Sequence, residues 1–209
     1  MSLLTNILII LVIISVFITI SSEYYIPEKY KYFFKPLSTV LILGIGITAN
    51  TENIHYKYLI LLALFFSIFG DIFMLFPKEK LKEGLVFFLI AHIFYVIAFN
   101  PSGFYSVYII IPFLLYGIFI YSSLYKYLNE MKIAVFVYLA IILLMSYQAF
   151  TKWIIFNDLG SLSALFGAFL FLSSDTILAF DIFRKKFKLA EFLYLSTYFT
   201  AQLLIALSI

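Results

Sequence analysis

The 209-residue chain contains no cysteine, which excludes disulfides and thiolate metal sites. It has little charge: 12% of its residues are Asp, Glu, Lys or Arg, against 65% hydrophobic. So few charges cannot cover a water-soluble domain of this size. The longest polar stretch is about a dozen residues, Ser22 to Lys35, which leaves no room inside the sequence for a soluble domain. The alternating segments of about ten residues that mark a transmembrane barrel are missing too. The apolar runs are instead continuous and about 16–22 residues long, the length of membrane-crossing helices. The expectation is one all-α integral-membrane domain over residues 1–209.

What is present reads as eight spans, at about 3–21, 36–50, 57–76, 83–99, 104–121, 132–149, 158–180 and 190–208. The first run lacks a basic leader and a small-residue cleavage site, so it reads as a retained helix and not a signal peptide. Lys35-Pro36 opens the second, and Pro suits the first turn of a helix. Twelve of the fourteen Lys and Arg fall in the odd-numbered loops, with only Lys57 and Lys152 in the even ones. The positive-inside rule then puts the odd loops in the cytoplasm and both termini outside. The excess of Ile, Phe, Tyr and Lys suggests a bacterial source, hence a bacterial cytoplasmic membrane.

Two carboxylates interrupt this apolar text. Asp71 lies in LFFSIFGDIFMLF (Leu64 to Phe76) and Asp175 in GAFLFLSSDTILAF (Gly167 to Phe180). A carboxylate inside a span costs roughly 2.5–3.5 kcal/mol on insertion scales, so each demands a reason. A structural hydrogen bond between helices, or a cap near the interface, would serve for one. Two at matched depth, each roughly 9 Å inside the cytoplasmic boundary, point to function. They stand 104 residues apart, and Phe88-Leu89 matches Phe192-Leu193 at the same offset. That spacing suggests a 4+4 parallel repeat.

The other polar groups within spans are few. His92 and Gln202 serve either as helix–helix contacts or as parts of a site. Tyr95, Tyr138 and Tyr198 carry hydroxyls that need partners when buried. Gly70, Gly84 and Gly167 let helices approach closely, and Ser173 and Ser174 can bond back to their own helix. No metal is expected, since the only other histidine, His55, is placed on the opposite membrane face and no acidic pair is clustered. There is no GxSxG elbow. The net charge of +3 is loop lysine, which gives a nucleic acid nothing to hold.

Taken in order, these features resemble the YhhN family of integral membrane proteins. The resemblance covers nearly the whole chain. It rests on Lys35-Pro36, on Gly70-Asp71, on Gly84, Phe88, Ala91-His92 and Tyr95, on Gly167-Ala168, Phe171 and Ser174-Asp175, and on Tyr198 with Ala201-Gln202. It implies an eight-helix hydrolase that cleaves the vinyl ether bond of lysoplasmalogens, releasing a fatty aldehyde and glycerophospho-ethanolamine or -choline. Its partners would be a lysophospholipid substrate and the surrounding membrane lipids, with no cofactor. The residue chemistry agrees: vinyl ether hydrolysis needs one carboxylic acid to give a proton and one carboxylate to stabilise positive charge and steer water. Asp71 and Asp175 are the catalytic candidates, with Lys35, His92, Tyr95, Tyr198 and Gln202 as substrate-binding candidates. Lys35 is placed to meet a phosphate. Two rival readings use the same residues: a proton-coupled transporter of a small molecule or lipid, and a non-catalytic protein whose Asp pair only locks helices.

Overall fold

The computed structural model describes residues 3–101 and 107–209. Eight helices account for nearly all of them, and no strand occurs among the described residues. They are α1 (Leu3–Ser21), α2 (Lys29–Thr48), α3 (Ile54–Phe73), α4 (Pro77–Phe99), α5 (Ile110–Leu124), α6 (Lys132–Phe156), α7 (Leu159–Ala179) and α8 (Ala190–Ala206). Six of them are long and apolar enough to cross a membrane: α1, α3, α4, α5, α6 and α7. α2 and α8 are not in that set, for α2 carries Lys29, Lys31 and Lys35 and α8 has 17 residues. The expected start of the fifth span, at 104, lies outside the described residues.

The boundaries follow local chemistry. α6 runs seven residues past the expected end at 149, because Thr151 and Lys152 do not break a helix. It stops at Asn157, which takes the left-handed conformation (φ 48°) that Asn tolerates. The next residue, Asp158, caps α7 in a reciprocal box with Ser161, so two residues turn the chain. Pro36 sits inside α2, not in its first turn, because the helix already begins at Lys29. At its far end α7 passes into one π-helical segment, Phe180–Arg184.

Packing makes a ring. α2 packs on α3, α3 on α4, α4 on α6, α6 on α7, α7 on α8, and α8 returns to α2. α1 lies outside α2, and α5 outside α6. α1 illustrates the logic of a lipid-facing helix. Most of its Leu and Ile side chains are exposed, while its buried residues include Thr5, Ser15 and Thr19. Ser15 meets Ser38 of α2, Oγ to Oγ, at 2.8 Å. In lipid, apolar groups gain nothing by leaving the surface, so small and hydroxyl residues make the helix contacts. The two closest helix pairs, α3–α4 and α7–α8, each depend on a glycine. A Cβ at Gly70 would lie 2.8 Å from the Phe88 ring, and one at Gly167 would lie 2.6 Å from Ile205. The even-side lysines are tied to the fold: Lys57 donates to the carbonyls of Ile47 and Ala49 at the end of α2, and Lys152 lies 3.3 Å over the Tyr56 ring.

Candidate active site

Each carboxylate sits where three ring helices meet. Asp71, on α3, faces α2 and α8 and is fully buried. Its Oδ2 accepts hydrogen bonds from Thr39 Oγ1 (2.5 Å) and Tyr198 OH (2.9 Å). Lys35 Nζ lies 3.9 Å from its Oδ1, an oxygen that has no hydrogen-bond partner among the described residues. Lys35 and Thr39 are one turn apart, so a single face of α2 presents both. The network continues behind Tyr198. Gln202 Nε2 donates to the Tyr198 hydroxyl at 3.2 Å, and Tyr95 OH donates to Gln202 Oε1 at 2.6 Å. Tyr95 and Gln202 are fully buried and bridge α4 to α8.

Asp175, on α7, faces α6 and α4. Its Oδ2 accepts from Tyr138 OH at 2.6 Å, and His92 Nε2 lies 3.7 Å from the same oxygen. His92 Nδ1 is 2.5 Å from the carbonyl of Phe88, one turn back on its own helix. The ring of His92 packs edge-on against Phe171 and Tyr138. Phe88, Phe171 and Tyr198 form a mutual edge-to-face cluster between the two carboxylate groups. Phe88 also rests on Gly70, which is why the residue before Asp71 has no side chain.

Both carboxylates line one cavity of about 240 Å³. Its wall includes Lys35, Tyr198, Ser174 and, toward the π segment, Asp181, Lys186 and Glu191. Asp181 is buried and accepts from the Phe187 amide at 3.2 Å, which ties the π segment to the loop after it. A second, apolar cleft of about 60 Å³ runs between α4, α5, α6 and α7, lined by Leu81, Leu85, Ile120, Leu139, Ile142 and Leu172. Asp175, Met74, Phe88, Leu178 and Ile182 border both spaces. Asp175 is thus the carboxylate at the junction of a polar chamber and an apolar one. Among the described residues no group of three His, Asp or Glu is arranged to hold a metal ion.

All seven residues singled out from the sequence fall in these two networks. Asp71, Asp175, Lys35 and Tyr198 reach the cavity wall. His92, Tyr95 and Gln202 stand behind it, buried. One expectation changes. Ser174 does not bond back to its own helix but donates to the Tyr194 carbonyl of α8 at 2.8 Å, whereas Ser173 does bond back, to Phe169. Sequence reading missed Thr39, Asp181, Lys186 and Glu191. Only Thr39 carried a usable signal, its one-turn spacing from Lys35.

The family model described as the YhhN family matches residues 30–209. The chain belongs to the YhhN family. It is 25% identical over 200 residues to the uncharacterized membrane protein YhhN of Escherichia coli O157:H7, covering 95% of this chain and 96% of that one. It is 30% identical over 187 residues to human lysoplasmalogenase TMEM86B, covering 88% and 79%. To the rat lysoplasmalogenase TMEM86B it is 32% identical over 170 residues, covering 81% and 69%. No solved structure matches the chain significantly.

Proposed function

We propose that this family member hydrolyses the vinyl ether bond of a lysoplasmalogen inside the bundle, with Asp71 and Asp175 as the reacting carboxyl groups. The observation that carries the reading is the place of Asp175, between a chamber bearing lysines and carboxylates and a cleft bearing only apolar walls and one threonine besides Asp175 and Tyr138. A single-chain phospholipid has the same division, a charged head, an ether link and an apolar tail. Seated head in chamber and tail in cleft, its ether link lies beside Asp175. Lys35 and Lys186 then supply cations for the phosphate. The names of the mammalian relatives support the same reaction.

The chemistry needs only these groups. A protonated carboxyl gives its proton to the β carbon of the vinyl ether. The C=C electron pair forms the new C–H bond, and the α carbon becomes part of an oxocarbenium ion. The second, ionised carboxylate faces that cation and lowers its energy. Water adds to the α carbon and gives a proton back to a carboxylate. The hemiacetal then collapses to a fatty aldehyde and a glycerophospho-alcohol. One water is consumed and the proton is regenerated.

All eight helices span the bilayer in this reading, α2 and α8 as inner members of the ring. The odd loops face the cytoplasm, so the chamber opens toward the inner leaflet. The ring itself supports a repeat, since α2, α3 and α4 pack in the order of α6, α7 and α8, and α4 meets α6 as α8 meets α2. Such a repeat would equally suit a proton-coupled carrier. One experiment separates the two. The purified protein is given choline and ethanolamine lysoplasmalogens, and aldehyde release is followed. Aldehyde from wild type, and none from Asp175→Asn, is the expected result. Proton-dependent uptake into vesicles without aldehyde would overturn it.

A further inference from the structure

We infer that the two carboxylates have fixed and different roles: Asp175 is the proton donor, His92 is the positioning residue that keeps the proton on it, and Asp71 is the permanent anion. The catalytic meaning of this split rests on the hydrolase reading above; the split itself does not.

His92 has two ring nitrogens in unlike places. Nδ1 stands 2.5 Å from the Phe88 carbonyl, which can only accept, so Nδ1 carries the hydrogen. In the neutral ring Nε2 is then a bare lone pair. It is fully buried, has no hydrogen-bond partner among the described residues, and lies 3.7 Å from Asp175 Oδ2, just beyond hydrogen-bond length. An imidazole lone pair facing an ionised carboxylate sets two acceptors against each other in a low-dielectric space, which is repulsive. One proton between them turns the contact attractive. A carboxylic hydroxyl on Asp175 turned toward Nε2 replaces that repulsion with an attraction, while the carboxyl still accepts from Tyr138. Among the described residues no Lys or Arg lies at ion-pair distance from Asp175, so no cation offsets a charge there.

Asp71 has the reverse surroundings. Two hydroxyls donate to its Oδ2, and the ammonium of Lys35 faces its Oδ1. Donors on one oxygen and a cation beside the other favour a carboxylate that never takes up the proton. Its Oδ1, without a hydrogen bond of its own, remains for the cation that forms on the substrate.

Infrared spectroscopy of the purified protein near neutral pH tests the split without any turnover. The expected result is a carboxylic-acid carbonyl band that Asp175→Asn removes, Asp71→Asn leaves in place and His92→Phe weakens. A band that survives Asp175→Asn, disappears in Asp71→Asn or is untouched by His92→Phe overturns the assignment. Kinetics supply a second readout. Phe keeps the edge-on packing of the His92 ring but has no lone pair. His92→Phe should lower kcat at least tenfold with KM within about twofold, and His92→Gln, which restores an acceptor, should recover part of the loss. Wild-type kcat in a folded His92→Phe would reduce His92 to packing. If wild type releases no aldehyde at all, the hydrolase reading fails, and the infrared result still decides the protonation split.

Discussion

Asp71 and Asp175 occupy matching places in the ring: each lies on the middle helix of a three-helix set and is approached by a hydroxyl from the helix before it, Thr39 on α2 or Tyr138 on α6. Each is also approached from the last helix of the opposite set, by Tyr198 on α8 or His92 on α4. The directions of approach are alike and the chemistry is not. Around Asp71 the third contributor donates, and a lysine is added. Around Asp175 it offers a lone pair, and the carboxyl opens onto an apolar cleft. In the proposed reading, two carboxylates with unlike neighbours in one cavity hold one proton and one negative charge, which is what acid-initiated ether cleavage asks of them.

The comparison can be broken at several points. The largest effect belongs to Asp175→Asn, which removes the acid and should cost about 10²–10⁴ in kcat, read as aldehyde release. Asp71→Asn should cost about 10²–10³, the scale of a lost electrostatic stabiliser. It should also lower thermal stability more than Asp175→Asn, because Lys35 is left without its counter-charge, a loss on the order of a few kcal/mol for a buried pair. Equal melting of the two variants in detergent would say that Lys35 is paired elsewhere. Tyr138→Phe takes away the hydroxyl that donates to Asp175 and should cost about tenfold in kcat, close to one hydrogen bond. Tyr198→Phe should cost less, since Thr39 still donates to Asp71. Gly70→Ala should destabilise by about 1–3 kcal/mol, as the new methyl meets the Phe88 ring; a melting curve unchanged from wild type would mean that Phe88 swings aside freely.

Much of the fold was legible because lipid makes helices continuous and loops basic. Eight apolar runs became eight helices, and the two acidic interruptions line one cavity. Helix ends were less legible. Lys29 to Lys35 read as a loop because three lysines in seven residues look solvated, yet they are the first two turns of α2. Thr151 and Lys152 read as an end although nothing there breaks a helix, and Lys152 finds the Tyr56 ring. The π segment at Phe180–Arg184 has no sequence signal. Within the site, the chemistry of each residue was readable and its neighbours were not. Gln202 announces a hydrogen bond but not that Tyr95 and Tyr198 are its partners. Asp181, Lys186 and Glu191 lie near a loop, where charge is ordinary, and only the closing of the ring brings them to the cavity.

In the proposed reaction the first event is a proton placed on the vinyl ether's β carbon. The most direct test runs the purified protein with lysoplasmalogen in D₂O, traps the aldehyde at once and weighs it. The expected result is one solvent deuterium on the carbon next to the aldehyde, with turnover slowed relative to water. Aldehyde carrying no solvent deuterium would mean that the bond breaks by another route, and the roles given to the two carboxylates would go with it.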